Sequence, residues 1–171
     1  MARRISAQTT FTPVARADTF TFIAGDVQGF WKSASATQLT WFWEISISGQ
    51  AASSSSPTFM LFSRDSTQGA GTQTQQTGGT DAPMNAATAA LTAAVGVGSN
   101  FGTTFPQRDA ANHLMNCSLN AFGGVFFWRA NRMEEAPSMV GNTVPLSECS
   151  LSAFTGGVPG LIGGHVIYET A

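Results

Sequence analysis

The chain has 171 residues and a mass of 17.9 kDa, a length that predicts one domain with a self-sufficient core. Charged residues make up only 11% of it, against about 25% in an average soluble protein, and 8 basic and 10 acidic side chains give a net charge of −2. A hydrophobic content of 43% with so small a net charge excludes a disordered chain, and a pI of about 5.5 excludes the basic face of a direct nucleic-acid binder.

The first segment, residues 1–17, is a basic leader that contains Arg3, Arg4 and Arg16 and no acidic residue. A chain terminus is usually disordered unless something holds it. We therefore expect an N-terminal arm that docks on a partner or on a neighbouring copy through salt-sensitive contacts, ahead of one domain over residues 18–171. The alternative is that the segment is an edge strand of its own domain.

Two strands are predicted next. Residues 19–23 alternate between threonine and apolar side chains, and residues 39–48 carry apolar side chains at every second position. The second pattern predicts a half-buried strand whose core face contains Leu39, Trp41, Trp43, Ile45 and Ile47. The opposite face would contain Thr40, Phe42, Glu44, Ser46 and Ser48, with Phe42 as its apolar exception.

The middle of the chain contains three consecutive segments with different predicted structures. Residues 58–64 are apolar on both faces and predict a central strand. Residues 65–80 are a polar, low-complexity stretch that predicts a long loop. Residues 82–95 lie between Asp81 and Gly96 and have Pro83 near their start, which favours a short helix, with a strand of small residues as the alternative.

Four further strands are predicted, over residues 111–120, 125–129, 147–154 and 161–169. Glycine, proline and serine separate the strands, and no strand–helix–strand rhythm is present. The sequence therefore predicts an all-β fold, an antiparallel β-sandwich or jelly roll of about eight strands.

Four side chains of the types that bind zinc occur at His113, Cys117, Cys149 and His165. On a strand, His113 and Cys117 would lie about 13 Å apart, too far to share one tetrahedral ion. We therefore expect no metal and no cofactor. The lack of a signal peptide favours a reducing compartment and free thiols, with a disulfide between Cys117 and Cys149 as the alternative if their strands are neighbours. No spacing matches a nucleophile elbow or a dinucleotide-binding loop, which argues against an enzyme.

Three aromatic residues stand apart from these patterns. Trp31, Phe42 and Trp128 are candidates for an interface anchor or for a ligand-binding platform. Packing in the core is the alternative for each of them.

The general plan of the chain resembles that of the small jelly-roll decoration, or cement, proteins of tailed-bacteriophage capsids. The features that carry this resemblance are its size, the N-terminal arm, the Gly-, Ser- and Thr-rich strands and the C-terminal segment 161–171, Leu-Ile-Gly-Gly-His-Val-Ile-Tyr-Glu-Thr-Ala. The resemblance implies a non-enzymatic dimer or trimer that binds the major capsid protein at the capsid surface, without direct contact with nucleic acid or membrane.

Two other functions fit the same pattern. One is a carbohydrate- or receptor-binding sandwich of a phage fibre or tail, and the other is a shell-forming coat protein. The first residues lack the apolar run of a signal peptide, and the longest uncharged stretch, residues 82–107, is broken by proline and glycine. We therefore expect synthesis in the host cytoplasm and no membrane span.

Overall fold

The computed structural model describes residues 3–11, 13–15, 27–33, 36–51, 57–67, 74–75, 82–83, 96–98, 107–141, 143–155, 157 and 160–170. Eight strands in these ranges have five or more residues: β1 (Arg3–Phe11), β3 (Val27–Lys32), β4 (Leu39–Gly49), β5 (Pro57–Thr67), β9 (Gln107–Asn120), β10 (Val125–Arg129), β12 (Glu148–Thr155) and β13 (Ile162–Thr170). Five are shorter: β2 (Val14–Ala15), β6 (Thr74–Gln75), β7 (Ala82–Pro83), β8 (Gly96–Gly98) and β11 (Ser138–Val140). The helical structure within these ranges is one 3₁₀ turn at Met133–Glu135, and no helix there has the length and hydropathy to cross a membrane.

The strands form two sheets. Sheet A has the order β10-β4-β13-β1-β7, and β11 also pairs with β4. Sheet B has the order β6-β8-β3-β12-β5-β9, and β2 also pairs with β12. Within the described ranges every pairing is antiparallel except that of β2 with β12. The predicted antiparallel all-β sandwich is confirmed.

Both sheets contribute side chains to one apolar core between them. Sheet A supplies residues such as Phe42, Ile45 and Tyr168, and sheet B supplies residues such as Trp31 and Phe62. The rings of Trp31, Phe42 and Phe62 contact one another edge to face, with centroids 5.0 to 5.9 Å apart. Each such pair contributes about 0.5–1.5 kcal/mol beyond the burial of its area, so this trio ties the two sheets together.

Strand β4 has the predicted length but not the predicted faces before residue 44. Its pairing with β13 shifts by one residue at Trp43, which is a β-bulge. Phe42 therefore lies on the same face as Ile45 and is fully buried, whereas Trp41 and Trp43 are only half-buried. The predicted faces are wrong for these three aromatic residues, because one extra residue reverses the alternation.

The segment predicted as a long loop begins later than expected. Strand β5 continues to Thr67, and Thr74–Gln75 forms β6 against β8. Of the segment predicted as a short helix, Ala82–Pro83 is strand β7, and residues 84–95 lie outside the described residues. The strand predicted at residues 19–23 also lies outside them.

Candidate interaction surface

The three aromatic residues singled out from the sequence occupy different places. Trp31 and Phe42 are both 0% exposed and belong to the core, so the structure favours the core alternative for them. Burial leaves neither ring with a face for a ligand or a partner. Trp128 lies on β10, where it is partly buried and packs against the core from the edge of sheet A.

The basic N-terminal segment is part of sheet A. Residues 3–11 form β1, which pairs with β13 along its whole length, from Arg3 opposite Thr170 to Phe11 opposite Ile162. At Ile5 its other edge also pairs, with β7. The structure thus favours a strand of the chain's own domain over a free arm for these residues, and deleting residues 1–17 would remove a strand from the sheet. Arg16 lies outside the described residues.

The exposed apolar side chains of the described surface include three on strand β10 and on the turn that leads to it from β9, which belongs to the other sheet. Val125 is 73% exposed, Phe127 is 59% exposed and Phe122, in the turn, is 56% exposed. We call these three residues the apolar strip. The sequence pattern predicted β10 as a strand but gave no sign of which face was open, because Val-Phe-Phe-Trp is apolar at every position.

The turn that presents Phe122 is well defined. Asn120 accepts hydrogen bonds from the backbone N–H of Phe122 through Oδ1 and from that of Gly124 through its backbone oxygen, each at 2.8 Å. Gly123 has a φ of 79°, in the left-handed region that favours glycine. Gly49 lies directly beneath, where an added Cβ would come within 2.2 Å of the Ala121 oxygen. The ring is therefore displayed by a fixed backbone rather than by a loose loop.

The side chains next to the apolar strip are small, and this part of the surface is nearly uncharged. Across the strand pair, Ser48 opposes Val125 and Ser46 opposes Phe127. The pair that follows is charged, and Arg129 Nε lies 3.2 Å from the Oε1 atom of Glu44. Because each charge here has its partner in the same chain, the strip presents no net charge to an approaching molecule.

A buried polar cluster lies on sheet B, on the face that points away from the core. All eight residues of β12 are buried, and Asp65, Glu148 and Ser150 are each 0% exposed. Ser150 Oγ donates a hydrogen bond of 2.5 Å to Asp65 Oδ1. Burial, followed by the neighbouring Glu148 carboxylate, raises the pKa of Asp65 well above its ordinary value and so favours its protonated form.

The cysteines are free thiols that lie on different strands of sheet B. Cys117 is on β9 and Cys149 is on β12, with β5 between them. Burial raises the pKa of Cys117 to about 11 and raises that of Cys149 further, which keeps both thiols protonated and weakly nucleophilic. His165 is on β13 of sheet A, and the described residues contain no group of three or more metal-binding side chains.

A small apolar cavity lies between the two sheets, lined in part by β9 and β10. Its volume is about 10 Å³, and its lining includes Ile47, Met60 and Phe126. Such a volume is about that of one water molecule and is too small for an organic ligand. The surface feature that stands out among the described residues is thus the apolar strip rather than a pocket.

No protein-family model and no curated protein matches this chain. Among solved structures, a chain from a marine algae virus of the order Picornavirales aligns with 99% of this chain and 70% of its own length, at 9% identity and a TM-score of 0.29. A chain from infectious bursal disease virus, Gt strain, aligns with 99% of this chain and 42% of its own length, at 12% identity and a TM-score of 0.17. Similarity at this level assigns neither a fold family nor a function.

Proposed function

We propose that this protein is a non-enzymatic structural component of a virion, which binds other protein through a nearly uncharged surface. The observation that carries the proposal is the apolar strip, where Phe122, Val125 and Phe127 are each more than half exposed on a well-defined turn and strand. Protein interfaces are depleted in charge and enriched in aromatic residues at their centre, which is the composition of this region.

The buried groups are consistent with a structural role. Asp65 and Glu148 are the kind of carboxyl pair that performs acid–base chemistry, but both are fully buried and out of reach of a substrate. Cys117 and Cys149 are buried enough to stay protonated. We therefore expect these groups to affect the stability of the fold and the way that stability changes with pH, rather than to act on a substrate.

The specific role proposed is that of a decoration protein, which binds the major capsid protein and stabilises its lattice at the capsid surface. Arg3 and Arg4, on β1, and Arg16 would then add salt-sensitive contacts to an acidic surface. Because β1 is a strand of sheet A, this contribution is tested with the substitutions Arg3→Gln and Arg4→Gln, which retain the backbone pairing, rather than by deletion of the segment.

The test of this role uses virions purified from the source that encodes the chain. We expect the chain to be present in a fixed ratio to the shell protein, to be removable by mild denaturant, and to rebind saturably when added back. Rebinding should raise the temperature at which the particles release their genome. Absence of the chain from purified particles would refute a virion role, and rebinding without stabilisation would refute the cement role.

Two alternative functions predict different experimental results from those of a decoration protein. A shell-forming coat protein would assemble into closed particles when expressed alone, which electron microscopy would show. A carbohydrate-binding module would bind a glycan array and lose that binding on replacement of Trp128, since Trp31 is buried and has no face to offer.

A further inference from the structure

Strand β10 is the outermost strand at one side of sheet A. It pairs with β4 from Val125 opposite Ser48 to Arg129 opposite Glu44. Within the described ranges, no strand pairs with its other edge. The open edge of a sheet carries backbone N–H and C=O groups that are ready to bind another strand.

Two hydrogen bonds show which residues of β10 direct their backbone groups to that open edge. The Gly49 N–H donates to the Gly124 oxygen at 2.8 Å, and the Ala130 N–H donates to the Trp43 oxygen at 2.9 Å. Residues of an antiparallel strand alternate between those that bond to the neighbour and those that point away. The even-numbered residues of β10 therefore bond to β4, and the backbone groups of Val125, Phe127 and Arg129 point outward.

Those three residues also carry the exposed side chains of the strand. Val125 is 73% exposed and Phe127 is 59% exposed, while Arg129 is held by Glu44. The segment Val-Phe-Phe-Trp-Arg contains none of the usual devices that protect an edge, such as a proline, an inward charge or a bulge. An edge of this composition is suited to pairing with another strand.

We infer that a second copy of this chain pairs with β10 as an antiparallel strand, about a two-fold axis at Phe127. In this register Phe127 lies opposite the second copy's Phe127, and Val125 lies opposite the second copy's Arg129. Because all three of these residues point outward, every outward N–H meets an outward C=O. A register shifted by one residue would leave these groups opposite residues that are already bonded to β4.

The side chains fit the same register. The two Phe127 rings meet at the axis, where each presents on the order of 100 Å² of surface. Each Val125 packs on the aliphatic part of an arginine, and no two like charges oppose each other across the axis. A two-fold arrangement repeats every contact, which is why one self-complementary strand is sufficient to form the dimer.

The pairing goes beyond the proposed function, although it uses two of the same residues, Val125 and Phe127, and the two proposals can fail separately. A chain that dimerises through β10 but never binds a particle would leave this inference intact and refute the other. A chain that binds particles as a monomer would do the reverse.

The experiment compares matched variants by sedimentation velocity over a wide range of protein concentration. Phe127→Pro removes an outward N–H without touching the bonds to β4, and Phe127→Val keeps that N–H as its control. Val125→Arg places two arginines opposite each other, and Val125→Glu places a glutamate opposite Arg129 at the same exposed position. We expect a concentration-dependent dimer that Phe127→Pro abolishes and Phe127→Val retains, that Val125→Arg weakens roughly tenfold, and that Val125→Glu preserves.

Hydrogen exchange supplies a second measurement on the unmodified chain. The amides of Val125, Phe127 and Arg129 should become protected as the concentration rises, whereas those of Phe126 and Trp128 should be protected throughout. A chain that stays monomeric with unprotected odd-numbered amides would overturn the inference. So would an oligomer that survives both Phe127→Pro and Val125→Arg, or that is disrupted equally by Val125→Arg and Val125→Glu.

Discussion

The buried carboxyl pair makes the stability of this protein depend on pH through a single proton. Asp65 is 0% exposed, and its pKa is raised first by burial and then by Glu148. In the unfolded chain the same carboxyl has its ordinary pKa of 3.8. Between that value and the folded pKa, the native state binds a proton that the unfolded state has lost, so the free energy of unfolding falls as the pH rises.

The size of this effect follows from the linkage relation. One proton changes the free energy of unfolding by at most about 1.4 kcal/mol per pH unit. Below pH 3.8 both states hold the proton and the contribution of Asp65 is fully present. It is then lost progressively until the pH exceeds the folded pKa. Other carboxylates add their own slopes, so the informative quantity is a difference between two variants.

Asp65→Asn isolates the effect. Asparagine keeps an oxygen for the hydrogen bond from Ser150, directs an N–H donor towards Glu148 and cannot ionise. We expect its free energy of unfolding, measured with urea at a series of pH values from 4 to 8, to fall less steeply with pH than that of the unmodified protein. The two slopes should differ by at most about 1.4 kcal/mol per pH unit, the value for one proton. Glu134→Gln, at an exposed position outside this pair, also replaces a carboxyl group by an amide and serves as the matched control. Parallel curves for Asp65→Asn and the unmodified protein would refute the assignment.

Three further predictions test the core, the turn between β9 and β10, and the thiols. Phe42→Ala should lower the free energy of unfolding by about 3–5 kcal/mol in urea titrations, whereas Phe122→Ala, at an exposed ring, should change it by less than about 0.5 kcal/mol. Gly49→Ala should markedly lower the melting temperature, because its Cβ would lie 2.2 Å from the backbone oxygen of Ala121; a melting temperature close to that of the unmodified protein would contradict the close approach. Cys149, which is 0% exposed, should react with a disulfide reagent at pH 8 only after unfolding, whereas Cys117, which is partly buried and whose pKa burial raises to about 11, should react slowly in the folded protein; rapid labelling of Cys149 in the folded protein would show its burial to be wrong.

Most of the long strands could be predicted from the sequence because their patterns are local. The predicted strand at residues 58–64 lies within β5, which is central as expected, between β12 and β9. Residues 111–120 lie within β9, where Leu119 is buried while Asn116 and Ser118 are exposed, as the alternation predicts. Strand β11 was not predicted, because three residues within a polar stretch give too short a pattern.

The faces of the strands were harder to predict than their positions. Alternation shows which residues share a face, but not where a bulge reverses it, and Trp43 in β4 is such a bulge. It also does not show whether a second face is covered. The polar residues Ser150 and Ser152 on β12 have the pattern of a solvated face, yet both are fully buried. Asp65 was assigned to a loop and is instead the buried partner of that face.

The surface carries even fewer charged side chains than the composition of the sequence indicates, because some of them are buried. Of the eighteen charged side chains, at least four are buried in the described part of the chain: Asp65, Arg108, Glu148 and Glu169. A surface with so few charges and an open apolar edge has little to oppose association, since charge and edge protection are what keep a chain monomeric. The free chain is therefore expected to be less stable against association than an average domain of its size. Pairing along β10 would use this property to form one defined contact in place of unspecific aggregation.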